Sequence, residues 1–318
     1  MRKFIIVFLP LFICLLLPIP SEGISSEERL WLRDLYNATN GPGWNNNAGW
    51  SGVSGASCVS YGVTCTGTGD EEHVTELDLQ VNNLNGTLPT TNNLSNLLYL
   101  EYLNLRDNNL SGIIPSGIVS FIQLRDIRLS GNNLTGGIPL ELVGLPLEYL
   151  DLSNNQLTGS IPSSLKNLHN LHDLFLELNQ LTGGIPSELG DLANIETLNI
   201  HSNKLSGNIP LELGKLDNLT DLILHSNKLT GNIPIELGKL DNLKYLYLND
   251  NELMGEIPIE LMNLINLSRL YICNNHLFTN DPDLRDFLNS KVVGDWESCQ
   301  HPPFFIAMPW ILLLLLGE

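Results

Sequence analysis

The chain has 318 residues, of which 43% are hydrophobic but only 7% aromatic, and its formal net charge is −19. Leucine and isoleucine must therefore supply most of the core. The acidic balance excludes nucleic acid and an anionic membrane surface as the main partner, because phosphate binding needs clustered Lys and Arg.

The first residues predict an export signal over residues 1–23. Arg2 and Lys3 form a basic start, an almost continuously apolar run follows, and Ser21 and Gly23 provide small residues at a cleavage site. A retained membrane anchor is the alternative, but the apolar run is shorter than the ~20 residues that a spanning helix needs. We therefore expect a secreted protein or one on the extracellular cell surface.

Four cysteines follow the export signal, and they predict two disulfides. An even number in an exported chain is typical of disulfide bonding. One close pair, Cys58 and Cys65, precedes a repetitive region, and the other pair, Cys273 and Cys299, closes it. The sequence does not fix the connectivity, although these two pairs are the local choices. Each bridge would stabilise the fold by roughly 2–4 kcal/mol, mainly by restricting the unfolded chain.

Between the cysteine pairs, the chain repeats itself with a period of about 24 residues. "HSNKLSGNIPLELGKLDNL" at 201–219 and "HSNKLTGNIPIELGKLDNL" at 225–243 differ at only two positions. One unit cannot bury its leucines alone, whereas stacked units share one continuous core. Nine copies begin at Val74, Leu100, Leu124, Leu147, Leu171, Ile195, Leu219, Leu243 and Leu267.

Each copy predicts a strand, a turn and a short return. In the seventh copy, residues 222–224 alternate with the period of a half-buried strand. Gly231 and Pro234 then turn the backbone, and residues 235–240 predict a short helical or irregular segment.

One asparagine recurs in every copy and predicts a ladder of side-chain amides along the stack. An inward amide is costly if it is buried without partners, so we expect each one to bond the backbone of the adjacent turn. The nine residues are Asn82, Asn108, Asn132, Asn155, Asn179, Asn203, Asn227, Asn251 and Asn275.

These repeats resemble the plant-type subclass of the leucine-rich repeat family, as in "LTGSIPSSLKNLHNL" at 157–171 and "LTGGIPSELGDLANI" at 181–195. The resemblance implies an α/β fold, namely a right-handed solenoid with a parallel β-sheet on its concave side and caps at both ends. It also implies similarity to receptor ectodomains and polygalacturonase inhibitors. The expected divisions are an N-terminal cap at 24–73, nine repeats at 74–288 and a C-terminal cap at 289–303.

Both caps have helix signals. Residues 25–38 predict a helix, with Ser25 and Glu28 spaced as a capping box. Asp281 and Pro282 suit the N-cap and first position of a second helix, which would cover the last leucine layer and strand edge.

The non-leucine positions of the strands define a predicted binding face on the concave side. Exposed aromatic side chains on a preformed surface are common anchors of recognition, although aromatic pairs also stabilise a sheet by cross-strand packing. The candidate ligand-binding residues are Phe175, His201, Ile223, His225, Tyr245, Tyr247 and Tyr271.

No metal, cofactor or catalytic site is expected. His201 and His225 lie on neighbouring strands, but they lack a third ligand beyond Glu177, and the duplicated sequence by itself explains the pair. No phosphate-binding loop, zinc-binding helix or nucleophile elbow is present in the sequence. The carboxylates of Asp126 and Asp173 would lie roughly 9–10 Å apart on alternate strands, a wide spacing for an acid/base pair.

Seven Asn-x-Ser/Thr sites make the chain a potential glycoprotein, although the repeat consensus generates such sites by itself. They are Asn37, Asn85, Asn93, Asn109, Asn133, Asn218 and Asn266.

A hydrophobic tail occupies residues 304–318. Its thirteen apolar residues at 304–316 would span about 20 Å as a helix, against a hydrocarbon core of ~30 Å. The alternatives are a glycolipid-anchor signal and a peripheral or sorting tail, which would give weak membrane association.

The sequence thus predicts a secreted, non-enzymatic module that binds a protein or peptide on its concave face. The alternatives are an inhibitor of an extracellular wall-degrading enzyme and a structural or adhesion protein of the cell surface.

Overall fold

The computed structural model describes residues 23–50, 57–68, 71–89, 97–292 and 294–301. The predicted export signal, apart from Gly23, and the hydrophobic tail lie outside these residues, as does the glycosylation site at Asn93. Helix α1 is Ser26–Ala38, and helix α2 is Pro282–Lys291.

Short strands recur through the repeats. In chain order they are β1 (Val63–Thr66), β2 (His73–Asp78), β3 (Asn85–Thr87), β4 (Tyr102–Asn104), β5 (Asn109–Ile113), β6 (Asp126–Arg128), β7 (Asn133–Gly136), β8 (Tyr149–Asp151), β9 (Gln156–Leu157), β10 (Asp173–Phe175), β11 (Thr182–Gly183), β12 (Thr197–Asn199), β13 (Lys204–Asn208), β14 (Asp221–Ile223), β15 (Lys228–Gly231), β16 (Tyr245–Tyr247), β17 (Glu252–Glu256), β18 (Arg269–Tyr271) and β19 (His276–Phe278).

Each repeat contributes one strand to a long sheet and has a second strand in its turn, and the second to eighth repeats also have a 3-10 helix. The long sheet has ten strands in the order β1-β2-β4-β6-β8-β10-β12-β14-β16-β18, all parallel except the antiparallel pair β1–β2. The second strands form a four-stranded and a five-stranded sheet. Within the described residues, the 3-10 helices are Gly41–Gly43, Ser116–Ser120, Leu140–Gly144, Ser163–Asn167, Ser187–Asp191, Leu211–Lys215, Ile235–Lys239 and Ile259–Asn263.

The core is one continuous column of leucine and isoleucine. In the seventh repeat, Leu222, Leu224 and Leu229 have no exposed surface, and Ile233 is 2% exposed. Because every repeat places the same side chain in the same layer, each leucine packs against its counterparts in the preceding and following repeats. The expected solenoid with a parallel sheet is confirmed.

The repeated asparagines bond the turns of consecutive repeats. Asn251 is typical: its Oδ1 accepts the Leu229 N–H at 3.0 Å, one repeat earlier. Its Nδ2 donates to the backbone oxygens of Leu224 and Leu248 at 3.1 Å and of Asn249 at 3.3 Å. Buried amides in this position would be costly without such partners. The ladder therefore joins each repeat to the repeat before it.

The ladder continues into both caps. At the N-terminal end, Asn82 accepts the Asn46 N–H at 2.6 Å and donates to the Asn46 oxygen at 2.9 Å. At the C-terminal end, Gln300 occupies the position in the ladder that follows Asn275. Its Oε1 accepts the Leu277 N–H at 3.3 Å, and its Nε2 donates to the Ile272 oxygen at 3.1 Å. The N-terminal cap thus pairs with the side-chain amide of the first repeat, and the C-terminal cap satisfies backbone groups of the last repeat.

Helix α1 is held against the first repeat by a buried carboxylate. The predicted capping box is present, with Ser25 Oγ accepting the Glu28 N–H at 3.2 Å and Glu28 Oε2 accepting the Ser25 N–H at 2.9 Å. Glu28 is only 2% exposed, and its Oε1 also accepts the Val74 N–H at 2.9 Å. One side chain therefore caps the helix and anchors it to strand β2.

Helix α2 covers the other end of the stack. Asp281 caps it by accepting the Leu284 N–H at 2.9 Å, and Leu284 and Leu288 are buried. Val292 forms a parallel bridge with Leu270, which shields the edge of the long sheet. Because α2 crosses the predicted boundary at residue 288, we propose that the C-terminal cap begins with this helix.

Both local disulfides are formed. Cys58–Cys65 closes a loop in the N-terminal cap, and Cys273–Cys299 joins the last repeat to the C-terminal cap.

Candidate functional site

The outward side of the ten-stranded sheet, here called the strand face, carries the candidate residues. Side chains alternate along each short strand, so in β14 Leu222 points into the core while Asp221 and Ile223 point outward. The parallel register aligns equivalent residues, as Ile223 with Tyr247 and Tyr247 with Tyr271. Since neighbouring strands are about 4.8 Å apart, side chains in such a column are in contact range.

Five rings form a contiguous group across four neighbouring repeats. His201 stacks on His225 with centroids 4.1 Å apart, and His225 lies 6.3 Å from Tyr247. Tyr247 packs edge-on against Tyr271 at 4.6 Å and against Tyr245 at 6.3 Å. We call these five residues the aromatic strip.

The aromatic strip differs from the expected exposed patch in two ways. Its tyrosines are half-buried rather than exposed, because each ring covers part of its neighbour. Phe175 is not part of the strip: it packs against Tyr149 at 5.4 Å and is separated from Ile223 by the buried Asn199. The aromatic candidates therefore form two groups, and Ile223 lies beside the strip in the same column as Tyr247.

The histidine pair is neutral at pH 7. Burial, together with the neighbouring His225, lowers the pKa of His201 to about 4. Burial also lowers the pKa of His225, against an opposing effect of Asp250. Each Nδ1 hydrogen-bonds the hydroxyl of the next residue, Ser202 at 2.8 Å and Ser226 at 2.9 Å. The aromatic strip thus presents an uncharged surface.

The stacked geometry does not suit a metal ion. The lone pair of an imidazole nitrogen lies in the plane of its ring, and the two planes are inclined by only 13°. Two nearly parallel rings 4.1 Å apart cannot both direct a nitrogen at one ion at the ~2.1 Å of a zinc–nitrogen bond.

A second group of side chains surrounds Arg128. Its guanidinium bonds both carboxylate oxygens of Asp126, at 2.9 and 2.8 Å. It also lies 4.4 Å from the centroid of Tyr149 and 5.3 Å from that of Tyr102. The Asp126 hydrogen bond raises the pKa of Arg128, and burial followed by the nearby Asp151 raises the pKa of Tyr149 to about 12. Both carboxylate oxygens of Asp126 are therefore engaged by Arg128.

Polar side chains lie between these two aromatic groups. Asp151, 5% exposed, accepts hydrogen bonds from the hydroxyls of Ser130 at 2.6 Å and Ser153 at 2.7 Å. Beside it, Glu177 Oε2 and Asn199 Oδ1 are buried and have no hydrogen-bond partner within the described part of the chain. Burial, with a smaller contribution from Asp151, raises the pKa of Glu177 to about 7, while hydrogen bonds from the Glu177 amide and Ser153 act in the opposite direction.

Comparisons with known proteins agree with this geometry. A family model described as "Leucine rich repeat" matches residues 146–205, and a second, "Leucine Rich Repeat", matches residues 99–121, 123–145, 218–240 and 242–264. These matches fall on the same repeats that build the sheet and its asparagine ladder. The chain is a plant-type leucine-rich repeat protein.

Similar proteins include receptors and a protein of similar extent. The chain is 39% identical over 93 residues, 29% of its length, to the leucine-rich repeat receptor-like kinase RGI4 of Arabidopsis thaliana. The solved plant peptide hormone receptor RGFR1, in complex with RGF2, is 41% identical with a TM-score of 0.60 over 61% of this chain. A plant ice-binding protein is 26% identical with a TM-score of 0.57 over 81% of this chain and 99% of its own.

The leucine-rich repeat chain spans only part of the receptor relatives. It covers 8% of the length of RGI4 and 31% of the RGFR1 chain. No helix among the described residues has the length and apolar character needed to cross a membrane.

The glycosylation sites lie on the surface wherever the structure describes them. Asn37, Asn85, Asn109, Asn133, Asn218 and Asn266 are all exposed. Their modification stays a prediction.

Sequence reasoning missed the polar side chains between the aromatic groups as candidate residues. Glu177 and Asn199 occupy ordinary outward positions of the repeat, and their residue types give no sign of burial. The one available signal was their place in the columns, next to Phe175 and His201.

Proposed function

We propose that this protein is a secreted, non-enzymatic recognition module that binds a peptide or protein across the strand face. The aromatic strip carries the proposal, because it joins His201, His225, Tyr245, Tyr247 and Tyr271 into one uncharged surface. Three of the chain's eight tyrosines lie in this strip. The similarity to RGFR1, a receptor solved with RGF2, supports a peptide as the ligand.

The physical chemistry of the aromatic strip favours binding. Aromatic side chains offer a large contact area at a small cost in conformational entropy, and tyrosine hydroxyls add hydrogen bonds. Rings that already pack on one another are held in place before a ligand arrives, so less ordering is needed on binding. A half-buried strip on a rigid sheet therefore combines anchor groups with preorganisation.

Capture from the extracellular fluid of the source tissue or culture tests the proposal. The wild-type protein and the variant Tyr245→Ala/Tyr247→Ala/Tyr271→Ala are each immobilised, and the bound proteins and peptides are identified. We expect a partner that binds the wild type and is lost with the variant. The matched control is Ile235→Ala/Ile259→Ala/Phe278→Ala, which removes three apolar side chains that are about half exposed away from the strand face.

Each outcome has a distinct meaning. Circular dichroism of both variants must first show intact folds. Equal capture by the wild type and the tyrosine variant would refute the aromatic strip as the binding surface. A captured hydrolase whose activity falls on binding would support the inhibitor alternative. Self-association without any other partner would support the structural or adhesion alternative.

A further inference from the structure

Two buried acceptors on neighbouring repeats lack donors. Asn199, at the end of β12, is 8% exposed, and its Oδ1 has no hydrogen-bond partner within the described ranges. The same holds for Oε2 of Glu177, which follows β10. Phe175 is aligned with Asn199 in the sheet register, and Glu177 lies two residues further along on the same face. The two side chains are therefore diagonal neighbours, within reach of one ligand group.

The surrounding donors are already committed. The hydroxyls of Ser130 and Ser153 donate to Asp151, and the guanidinium of Arg128 bonds Asp126. The Ser153 hydroxyl and the Glu177 amide also interact with the Glu177 carboxylate, and its Oε2 is the atom without a partner in the described ranges. A buried acceptor without a donor costs free energy, so a donor from outside the chain would relieve a cost that the folded protein already bears.

The charges around these acceptors select a cation. Asp151 and Glu177 are acidic, and His201 on the adjoining strand is neutral at pH 7. The Arg106 guanidinium also acts on Glu177, but it is exposed and forms an ion pair with Asp107 at 3.2 Å. A positively charged group with several N–H donors therefore fits this position better than a neutral amide or a water molecule.

The same sheet already binds one guanidinium in this way. Arg128 bonds a carboxylate through two nitrogens and lies over the rings of Tyr102 and Tyr149. Phe175 is the register partner of Asn199 and lies two residues before Glu177 on the same strand face, and its ring packs against Tyr149 at 5.4 Å. Guanidinium groups pair well with carboxylates and also stack on aromatic faces.

We propose that Glu177 and Asn199 form a subsite for an arginine side chain of the peptide ligand. The guanidinium donates to Glu177 Oε2 and Asn199 Oδ1 and lies against the Phe175 ring. This inference rests on the proposed function, since it concerns a peptide bound across the strand face. The aromatic strip then binds the apolar part of the peptide, and the subsite selects for its charge.

The subsite also couples binding to a proton. Burial and Asp151 raise the pKa of Glu177 to about 7, so near neutral pH about half of the molecules carry a proton on this carboxyl group. A bound guanidinium stabilises the carboxylate and lowers the pKa of Glu177. Binding near pH 7 therefore releases a fraction of a proton to the buffer.

Selection from a phage-displayed library of random peptides tests the subsite. The baits are wild-type protein, Glu177→Gln and Asn199→Ala, with Ile259→Ala as a matched control away from the strand face. We expect arginine to be enriched at one position with the wild type and the control, and this enrichment to be lost with both subsite variants. The rest of the consensus should be kept.

Other outcomes of the selection overturn one proposal or both. A shared consensus without arginine, selected equally by Glu177→Gln, overturns the subsite and leaves the recognition module intact. No selected peptide with the folded wild type overturns both. Circular dichroism establishes that each bait is folded, and the two subsite variants provide independent readings.

Calorimetry with a selected peptide separates a cation site from a water-filled one. The peptide and its citrulline analogue, which keeps the shape but loses the charge, are titrated at pH 7 in phosphate and in Tris. We expect the citrulline peptide to bind at least about tenfold more weakly, as for a lost charge-assisted hydrogen bond. The arginine peptide should release a fraction of a proton to the buffer, whereas equal affinities and no proton release would refute the subsite.

Discussion

His201 and His225 stack on neighbouring repeats with ring centroids 4.1 Å apart and planes inclined by 13°. The two rings arise from an almost exact repetition of nineteen residues in the sequence. The two residues are in contact because the parallel register places equivalent residues of successive repeats side by side. Burial in the stack then lowers the pKa of both residues, so a duplicated residue becomes part of an uncharged surface.

The histidine pair should make the protein less stable in mild acid. The pKa of His201 is lowered from 6.5 to about 4, so the unfolded chain binds the proton more tightly. The contribution of His201 to the free energy of unfolding is fully present above pH 6.5 and is lost as the pH falls from 6.5 towards 4. Over this pH range, we expect the free energy of unfolding to fall by about 1–2 kcal/mol less in the His201→Gln/His225→Gln variant than in the wild type. This figure allows for partial solvent screening.

Urea unfolding at pH 7 and pH 4 measures this difference. His169→Gln/His172→Gln is a suitable control, since these histidines are not stacked on each other. If both variants follow the pH profile of the wild type, the histidine pair does not govern the acid response.

Glu177 should have the opposite effect on stability. Its pKa is raised from 4.5 to about 7, so the folded protein binds the proton more tightly than the unfolded chain. Stability therefore falls as the pH rises from about 4.5 to about 7, through the action of burial and of Asp151, with Arg106 opposing. We expect Glu177→Gln to be about 1–2 kcal/mol more stable than the wild type at pH 8 and nearly equal at pH 4.

Chemical denaturation at the two pH values checks this prediction, with the exposed Glu76→Gln as the control on the same face. A variant that is less stable than the wild type at pH 8 would contradict the raised pKa.

Loss of a ladder asparagine should be strongly destabilising. Asn251→Ala removes one acceptor and three donor contacts, and it leaves the Leu229 N–H and the Leu224 oxygen without their partner. We expect the free energy of unfolding to fall by about 3 kcal/mol, because buried backbone groups without hydrogen bonds are costly. The exposed neighbour Glu252→Ala should stay within about 0.5 kcal/mol of the wild type. Equal thermal midpoints for the two variants would show that the ladder contributes little.

Val81 should tolerate replacement by asparagine with a gain in stability. Its φ is +54°, a left-handed conformation that β-branched residues rarely adopt. Most repeats place Asn, Asp, Ser or Gly at this turn position, as with Asn154 and Gly131. We expect Val81→Asn to gain about 1 kcal/mol. Val59→Asn is the control, since Val59 is exposed but its φ is not positive. A comparable gain in both variants would show that replacing an exposed apolar side chain, and not relief of the positive φ, causes the stabilisation.

The periodic features of this fold follow from the sequence because each depends on one repeat and its neighbours. The leucine layers, the turn asparagines and the capping box involve residues at fixed spacings, so their partners are known once the period is known. Gln300 shows where this reasoning ends. It takes the place of a ladder asparagine, yet it belongs to no repeat, and the cap must fold before its amide reaches Leu277.

The sequence by itself determined the solenoid, because nine copies of one pattern allow a single way to share a leucine core. It also determined which residues face outward, since strand alternation is local. Only the tertiary structure decided which of those residues are buried, paired or unpartnered. Phe175 packs against Tyr149, Arg128 pairs with Asp126, and Oε2 of Glu177 has no hydrogen-bond partner in the part of the chain that the structure describes. Such choices depend on side-chain packing between several repeats, and that packing has no period in the sequence.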